Sequence, residues 1–206
     1  GATSLALVVR GRNSNSATVS CDADWNATMA SLKRSALAPK TFPKVSAIAG
    51  VALKTARAGI KSPGRDDLLL VTLDRATTVA GVFTRSATAS APVQWSRKVA
   101  ASGKARAILI NSGNANTFTG AQGVTDVRST AGMASRAAGC RPSDVLIAST
   151  GVIGEPLPVN RIQNALSRMS SSRRTASWLD ASRAIGTTDT YPKGATRRTF
   201  IGDTEV

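Results

Sequence analysis

The chain of 206 residues contains no histidine and only two cysteines, and these shortages limit the chemistry that it can perform. Zinc and haem sites rely largely on histidine and on closely spaced cysteine ligands. Cys21 and Cys140 lie far apart in the sequence and form no CxxC motif. We therefore expect no metal site. A disulfide between the two cysteines stays open, although free thiols in a reducing compartment are the default expectation.

Acidic and aromatic residues are also scarce. The chain has 12 acids, of which only Glu155 and Glu205 are glutamate, against 27 Lys and Arg, so its net charge is +15. Such a charge attracts nucleic acid or anionic membrane surfaces. The basic residues are scattered singly and in pairs, however, and the chain has only four Phe, three Trp and one Tyr. A nucleic-acid partner rests on charge alone, and we expect ordinary solvated charge instead.

Long apolar runs are absent as well, so we expect a soluble protein with no membrane span. A chain of this length forms one sizeable core, or one half of a larger domain that another chain completes. Residues 1–39 are rich in Ser, Ala and Thr and contain scattered Arg and Lys, as organellar targeting sequences do. We expect them to be an N-terminal extension that packs on the domain or on another chain through residues 5–9, Trp25 and Leu32.

The rest of the chain mixes predicted strands and helices without strict alternation. Short aliphatic runs predict strands at 105–110 and 144–148, and a β-hairpin from 68–73 and 79–83. Three segments favour helices because of their apolar spacing and their boundary residues Gly139, Pro158 and Gly186: 124–138, 158–169 and 175–185. This order of elements indicates an α+β fold.

Small polar and glycine residues follow two of these strands. The sequence Asn-Ser-Gly-Asn-Ala-Asn occupies 111–116, and Ser-Thr-Gly-Val-Ile-Gly occupies 149–154. Glycine allows the backbone to approach a ligand closely, while Asn, Ser and Thr supply neutral hydrogen-bond donors and acceptors. Turns of this composition at strand ends are typical of functional sites.

Three further motifs complete an ordered set. They are Gly59-Ile60-Lys61 with Gly64-Arg65-Asp66-Asp67-Leu68, Gly81-Val82-Phe83-Thr84 with Ala91-Pro92-Val93, and Thr187-Thr188-Asp189-Thr190-Tyr191-Pro192-Lys193. With the two strand-end turns, they resemble the α portion of the ornithine acetyltransferase family, the bifunctional glutamate N-acetyltransferases of arginine biosynthesis. The resemblance covers roughly residues 40–206. It implies a layered α/β/β/α sandwich, related to the N-terminal-nucleophile hydrolases and completed by a partner β chain.

The resemblance also implies roles for individual residues. Thr150 and Gly151 match the oxyanion-hole pair, although a Thr-Gly turn is the structural alternative. Thr187 matches a threonine that contacts substrate, although a turn before Pro192 is the alternative. Four residues are expected to shape the pocket or, equally, to build the loop: Asn111, Gly113, Asn114 and Asn116. Lys61 and Arg65 would orient backbone or bind carboxylate, or form an exposed basic loop. Arg65 could equally form a structural ion pair with Asp66 or Asp67.

By the same resemblance, the chain is an α subunit that moves acetyl from N-acetylornithine to glutamate without a metal or organic cofactor. The nucleophile is the N-terminal Thr of a β chain released by self-cleavage, and no residue of the 206 is assigned that role. The expected location is the mitochondrial matrix, with a plastid or a bacterial cytoplasm as alternatives. A rival hypothesis is a non-catalytic homologue that serves as a structural subunit of a large organellar complex.

Overall fold

The computed structural model describes residues 34–60, 64–197 and 200–205. The predicted contacts of residues 5–9, Trp25 and Leu32 lie outside these ranges, and so does Lys61. In chain order the elements are β1 (Val51–Ala56), β2 (Leu68–Thr78), α1 (Ala91–Ala101), β3 (Lys104–Asn114), α2 (Gly120–Ala138), a 3-10 turn (Pro142–Asp144), β4 (Val145–Val152), α3 (Val159–Ser171), α4 (Trp178–Ile185), β5 (Phe200–Ile201) and β6 (Thr204–Glu205).

The first four strands form one mixed sheet in the order β1-β2-β3-β4. β1 pairs with β2 and β2 with β3 in antiparallel fashion, whereas β3 and β4 run parallel. A parallel neighbour requires a crossover connection, and α2 supplies it between β3 and β4. Because β3 and β4 point the same way, both end at the same edge of the sheet.

Alternating apolar residues give the sheet two buried faces. Leu68, Leu70 and Leu109 belong to the face that packs against α2 and α3. Their neighbours Leu69 and Ile108 lie on the opposite face, against Val99 of α1 and Ala181 and Ala184 of α4. Helices thus cover both sides of the described sheet. The α+β class is confirmed, and the second sheet of the four-layer arrangement stays a prediction.

The structure corrects the predicted hairpin. Residues 79–83 form no strand, because β2 continues through the expected turn as far as Thr78, and its end pairs with Lys104 of β3. The strands expected at 105–110 and 144–148 and the three helices are confirmed with shifted ends. β1 and α1 were not predicted, although Pro92 near the start of α1 is a recognised helix-start signal.

Helix α1 protects the free edge of β4. Trp95 donates from Nε1 to the carbonyl of Val145 at 2.9 Å. The buried Ser96 hydroxyl bonds both main-chain groups of Ile147, donating to its oxygen at 2.6 Å and accepting from its nitrogen at 2.8 Å. Unpaired strand edges otherwise invite pairing with other chains. These side chains therefore replace a fifth strand at this edge.

We predict that Ser96→Ala lowers the free energy of unfolding by about 1–3 kcal/mol, because it leaves both main-chain groups of Ile147 buried without a partner. Denaturant unfolding measures this change. Ser167→Ala is the matched control, since Ser167 also lies in a helix but is exposed, and its hydroxyl donates to the carbonyl of Gln163 in the same helix. Equal stability of the two variants would contradict the role of Ser96.

Candidate functional site

The two turns rich in Asn, Ser, Thr and Gly lie side by side at one edge of the sheet. The parallel register pairs Asn111 with Ser149, Ser112 with Thr150 and Gly113 with Gly151. We call this border, where β3 and β4 end, the carboxyl edge. The structure therefore brings together the strand-end residues that the sequence indicated separately.

Gly113 and Gly151 approach so closely that no room is left for a side chain on Gly151. A β-carbon on Gly151 would lie 2.2 Å from the carbonyl carbon of Gly113 and 2.5 Å from the nitrogen of Asn114. Gly151 also has φ of +137° and Gly113 has φ of +110°. Only glycine adopts such a conformation without strain. This contact sets the position of Thr150 relative to β3.

Thr150 carries an available hydroxyl at this edge. Strand alternation places it on the same face as Leu146 and Ala148, beside its register partner Ser112. Its side chain is half-buried, and its hydroxyl makes no hydrogen bond to any residue in the described ranges. The Ser112 hydroxyl, in contrast, is committed to the carbonyl of Ala184 at 2.8 Å. Thr150 thus retains a free donor.

The asparagine side chains of the first turn are buried and bonded inside the protein. Asn111 accepts from the Ser149 hydroxyl at 2.6 Å and donates to the carbonyl of Asn114 at 2.8 Å. Asn114 donates to the carbonyls of Glu155 and Pro156 at 3.0 and 3.1 Å. These bonds tie the end of β3 to β4 and to the loop beyond it. They fit the loop-building alternative for Asn111 and Asn114.

Asn116 continues the same network towards α2. It is fully buried, donates from its backbone to Asn114 Oδ1 at 2.7 Å, and donates from its amide to the carbonyl of Gly123 at 3.0 Å. Its side-chain oxygen accepts from the Thr119 hydroxyl at 2.8 Å. Asn116 has φ of +45°, a region that asparagine tolerates better than most residues. The buried amide of Asn116 therefore supports the first turn from inside the protein.

Thr187 follows α4 at the carboxyl edge. Ser112 bonds the last turn of α4, as described above, and Thr187 lies three residues after the bonded carbonyl. The Thr187 backbone N–H donates to Asp189 Oδ2 at 3.4 Å, and Asp189 pairs with Lys193. Asp189 thus stabilises the loop that follows α4. Thr187 itself is half-buried.

Arg65 orients backbone at the same edge. Its guanidinium donates to the carbonyl of Arg183 and, at 3.0 Å, to that of Gly186. Arginine at the last turn of a helix complements the negative end of the helix dipole. The backbone-orienting interpretation of Arg65 is therefore the one that the structure supports.

Sequence reasoning missed the structural role of Asp67. This residue is fully buried, and its carboxylate accepts from the backbone N–H groups of Ala58 and Ile60, both at 2.6 Å. Its carbonyl accepts from the N–H of Ser112 at 2.9 Å. The sequence does give one signal for this role, because Asp67 is an acidic residue directly before the apolar run that begins at Leu68. Asp67 connects the start of β2 to the first site turn.

Two of the groups with displaced pKa values, Asp180 and Cys140, lie in or beside the α-helices. A hydrogen bond from the backbone N–H of Ser177 lowers the pKa of Asp180, and the two residues form a capping box at the start of α4. Burial raises the pKa of the Cys140 thiol, which follows α2.

Within the described ranges, no cluster of three His, Cys, Asp or Glu residues suits a metal ion. None of the helices described has both the length and the apolar character needed to cross a bilayer.

The same fold occurs in solved acetyltransferases. The ornithine acetyltransferase of Mycobacterium tuberculosis, solved in complex with ornithine, matches with a TM-score of 0.64 and 34% identity, over 68% of this chain and 77% of that one. The arginine biosynthesis bifunctional protein ArgJ of Bacillus halodurans matches with a TM-score of 0.66 and 27% identity, over 77% of this chain and 83% of that one. The fold is therefore that of the ornithine acetyltransferases.

The chain belongs to the ArgJ family, whose family model matches residues 52–206. The arginine biosynthesis bifunctional protein ArgJ of Bradyrhizobium diazoefficiens is 49% identical over 172 residues, and that of Nitrobacter winogradskyi is 51% identical over 176 residues. Each alignment covers 84% of this chain but only 42% of the relative. The resemblance inferred from the five motifs is confirmed. The chain spans about two fifths of the length of these relatives.

We predict that Gly151→Ala lowers the free energy of unfolding by about 3 kcal/mol or more, because strain at positive φ adds to a backbone clash. Gly154→Ala is the matched control. Gly154 also has positive φ, +83°, but a β-carbon there meets nothing within 4 Å, so we expect a loss of about 1–2 kcal/mol. Denaturant unfolding compares the two, and equal losses would contradict the close contact.

Proposed function

We propose that this chain is the α portion of a glutamate N-acetyltransferase that takes acetyl from N-acetylornithine and delivers it to glutamate. The observation that carries the proposal is the free Thr150 hydroxyl beside Gly151, held at the carboxyl edge by the contact with Gly113. Membership of the ArgJ family supports this reaction. The solved relative from Mycobacterium tuberculosis in complex with ornithine supports the substrate class.

Thr150 and Gly151 would stabilise the oxyanion of acyl transfer. Attack on the acetyl carbonyl places negative charge on one oxygen in a tetrahedral intermediate. A hydroxyl and a backbone N–H that are already fixed in place stabilise this charge without reorganising. Thr150 is held by strand pairing on one side of the residue and by the Gly113 contact on the other. Thr187, at the same edge, would help to seat the amino-acid substrate.

The nucleophile and the base would come from a partner chain. Threonine attacks efficiently when a base is adjacent, and an N-terminal amine serves as that base in N-terminal-threonine enzymes. We assign the nucleophile to the N-terminal Thr of a β chain. This Thr forms an acetyl ester and releases ornithine, and the amino group of glutamate then takes the acetyl group. Such a covalent intermediate gives ping-pong kinetics.

The relative lengths of the matched proteins support two chains. The aligned part is 42% of the relatives from Bradyrhizobium and Nitrobacter, but 77% and 83% of the two solved chains. The solved chains are thus much shorter than the relatives. Division of a longer polypeptide near the end of the matched region accounts for this difference, as the two-chain proposal requires.

Thr150→Val in the full-length protein tests the proposal. Valine has nearly the same shape but no hydroxyl, so we expect kcat for acetyl transfer to fall by about 10²–10³-fold, the usual effect of one lost oxyanion donor. The thermal unfolding midpoint should stay unchanged, since the hydroxyl has no partner among the described residues. Self-cleavage is measured separately, because it uses an oxyanion of the same kind.

Thr150→Ser is the matched control for this test. It keeps the hydroxyl, and we expect it to retain most of the acetyl transfer. Unchanged turnover in Thr150→Val would remove Thr150 from the mechanism. Wild-type full-length protein that transfers no acetyl would instead favour the non-catalytic structural subunit.

An apolar patch beside Thr150 fits the surface that a partner chain covers. Phe118, Val152 and Ile153 are 70%, 45% and 61% exposed. Backbone bonds from Ala115 to Val152 at 2.8 Å and from Gly154 to Thr117 at 2.9 Å hold their segments together. Phe118 has φ of +57°, which is strained for a bulky residue. Strain that holds an aromatic ring in solvent beside a site is typical of a contact surface.

We predict that Phe118→Ser weakens association between the two chains by about tenfold or more, because a central aromatic anchor contributes about 2 kcal/mol or more to an interface. Size-exclusion chromatography across a dilution series measures the association. Leu37→Ser is the control, since Leu37 is 90% exposed and lies outside both the patch and the contacts expected of the N-terminal extension, which are residues 5–9, Trp25 and Leu32. An unchanged association in Phe118→Ser would exclude the patch from the interface and leave the test of Thr150 unaffected.

A further inference from the structure

A cavity lies far from Thr150, towards the opposite end of β3. Its volume is about 420 Å³, and it lies beside the start of β1 and the last turns of α2 and α3. Arg106 lines it, and along β3 this residue is six positions from Ser112, the register partner of Thr150. At a rise of about 3.3 Å per residue, the separation is about 20 Å. The cavity is therefore distinct from the candidate active site.

An irregularity in the sheet shapes this cavity. The register between β2 and β3 shifts between Thr72 and Thr77, so that β2 carries extra residues here. Bulges of this kind redirect side chains and are frequent beside binding sites. Arg106 lies opposite the irregularity, and its Nε donates to the carbonyl of Leu73 at 3.1 Å. The terminal nitrogens of its guanidinium have no hydrogen-bond partner in the described ranges.

A carboxylate lines the same cavity. Asp74 directly follows the residue that Arg106 bonds, and it lines the same cavity. Its carboxylate lies over Gly50, with an oxygen 2.6 Å from the position of a β-carbon there. Across the described residues, neither Asp74 nor Arg106 forms an ion pair. One basic and one acidic side chain therefore line the same cavity without pairing with each other.

The rest of the cavity wall is largely aliphatic. Its apolar side chains are those of Val51, Ala52, Leu70, Ala137, Ala138 and Met169. Lys54 also lines the cavity, but its ammonium already donates to the carbonyls of Met169 and Ser172 at 2.7 and 2.8 Å. Lys54 has one further N–H, whereas the terminal nitrogens of Arg106 and the carboxylate of Asp74 keep most of their hydrogen-bonding capacity. A ligand that fits carries both signs of charge and an apolar group beside them.

We propose that this cavity binds a free α-amino acid with an aliphatic side chain. Its carboxylate lies on the guanidinium fork of Arg106, where two parallel hydrogen bonds form. Its ammonium group lies against Asp74, and its side chain packs on Leu70 and Met169. A site of this kind, about 20 Å from Thr150, binds its ligand independently of acetyl transfer.

Calorimetric titration of the full-length protein with L-leucine tests the proposal. Two further probes, 4-methylpentanoate and isoamylamine, each keep the aliphatic chain and one of the two charges. We expect L-leucine to bind about tenfold or more tightly than either, because each lost charged hydrogen bond lowers affinity by that order. Arg106→Met should weaken L-leucine and 4-methylpentanoate to a similar degree and leave isoamylamine unchanged. Asp74→Asn should weaken L-leucine and isoamylamine only.

Two further arginine variants serve as controls. Arg128→Met removes an exposed arginine of α2 outside the cavity and should not change binding. Arg106→Lys keeps the charge without the fork, so it should bind more weakly than wild type but better than Arg106→Met. If L-leucine does not bind saturably, or binds the Arg106→Met and Asp74→Asn variants as tightly as wild type, the proposal is wrong. Retained acetyl transfer in both variants separates this result from a failure of the proposed function.

Discussion

The contact between Gly113 and Gly151 is the constraint on which the candidate site depends. Parallel strands usually diverge where their turns begin, because side chains in those turns need room. Here the strands stay paired as far as Asn114 and Val152, with a shift of register after Gly113, and the backbone of one turn fills the space where a side chain of the other would lie. The backbone at Thr150 is therefore restrained by its pairing with β3 and by the Gly113–Gly151 contact. A donor that is already fixed in place stabilises an oxyanion best.

The polar residues around this contact divide into two groups. The asparagines bind backbone within the protein, and each amide replaces a hydrogen bond that irregular backbone would otherwise lack. The Thr150 hydroxyl is left outside this network. In the proposed function, this chain provides a scaffold and an oxyanion donor, and the nucleophile lies on another chain.

Sequence reasoning succeeded where local signals agreed with the fold. The helix ending at Ala138 was predicted because its buried stripe and Gly139, with φ of +63°, follow from local rules. The prediction of a strand at residues 79–83 was wrong, because an apolar run beside Gly81 also fits a loop. This loop borders a cavity together with α1 and β4. The turn predicted at residues 74–78 does not end β2, since pairing with β3 resumes at Thr77. Tertiary pairing overrode the local turn signal.

The candidate site was predictable in part. Glycine and asparagine at strand ends mark a site, and the parallel pairing then brings the two turns together. What could not be read from the sequence is the distance between Gly113 and Gly151, which depends on the register of two strands separated by a helix. The roles of Ser96 and Asp67 could not be predicted for the same reason. Their partners, Ile147 and Ala58, come within hydrogen-bonding distance only when the chain folds.

The most direct test of the account is intact-mass spectrometry of the purified full-length protein after incubation with N-acetylornithine. The account predicts two chains, the second of which begins with Thr and gains one acetyl group on that residue, and it predicts that glutamate removes the acetyl group. A single uncleaved polypeptide, or two chains of which neither is acetylated while acetyl transfer proceeds, would contradict it.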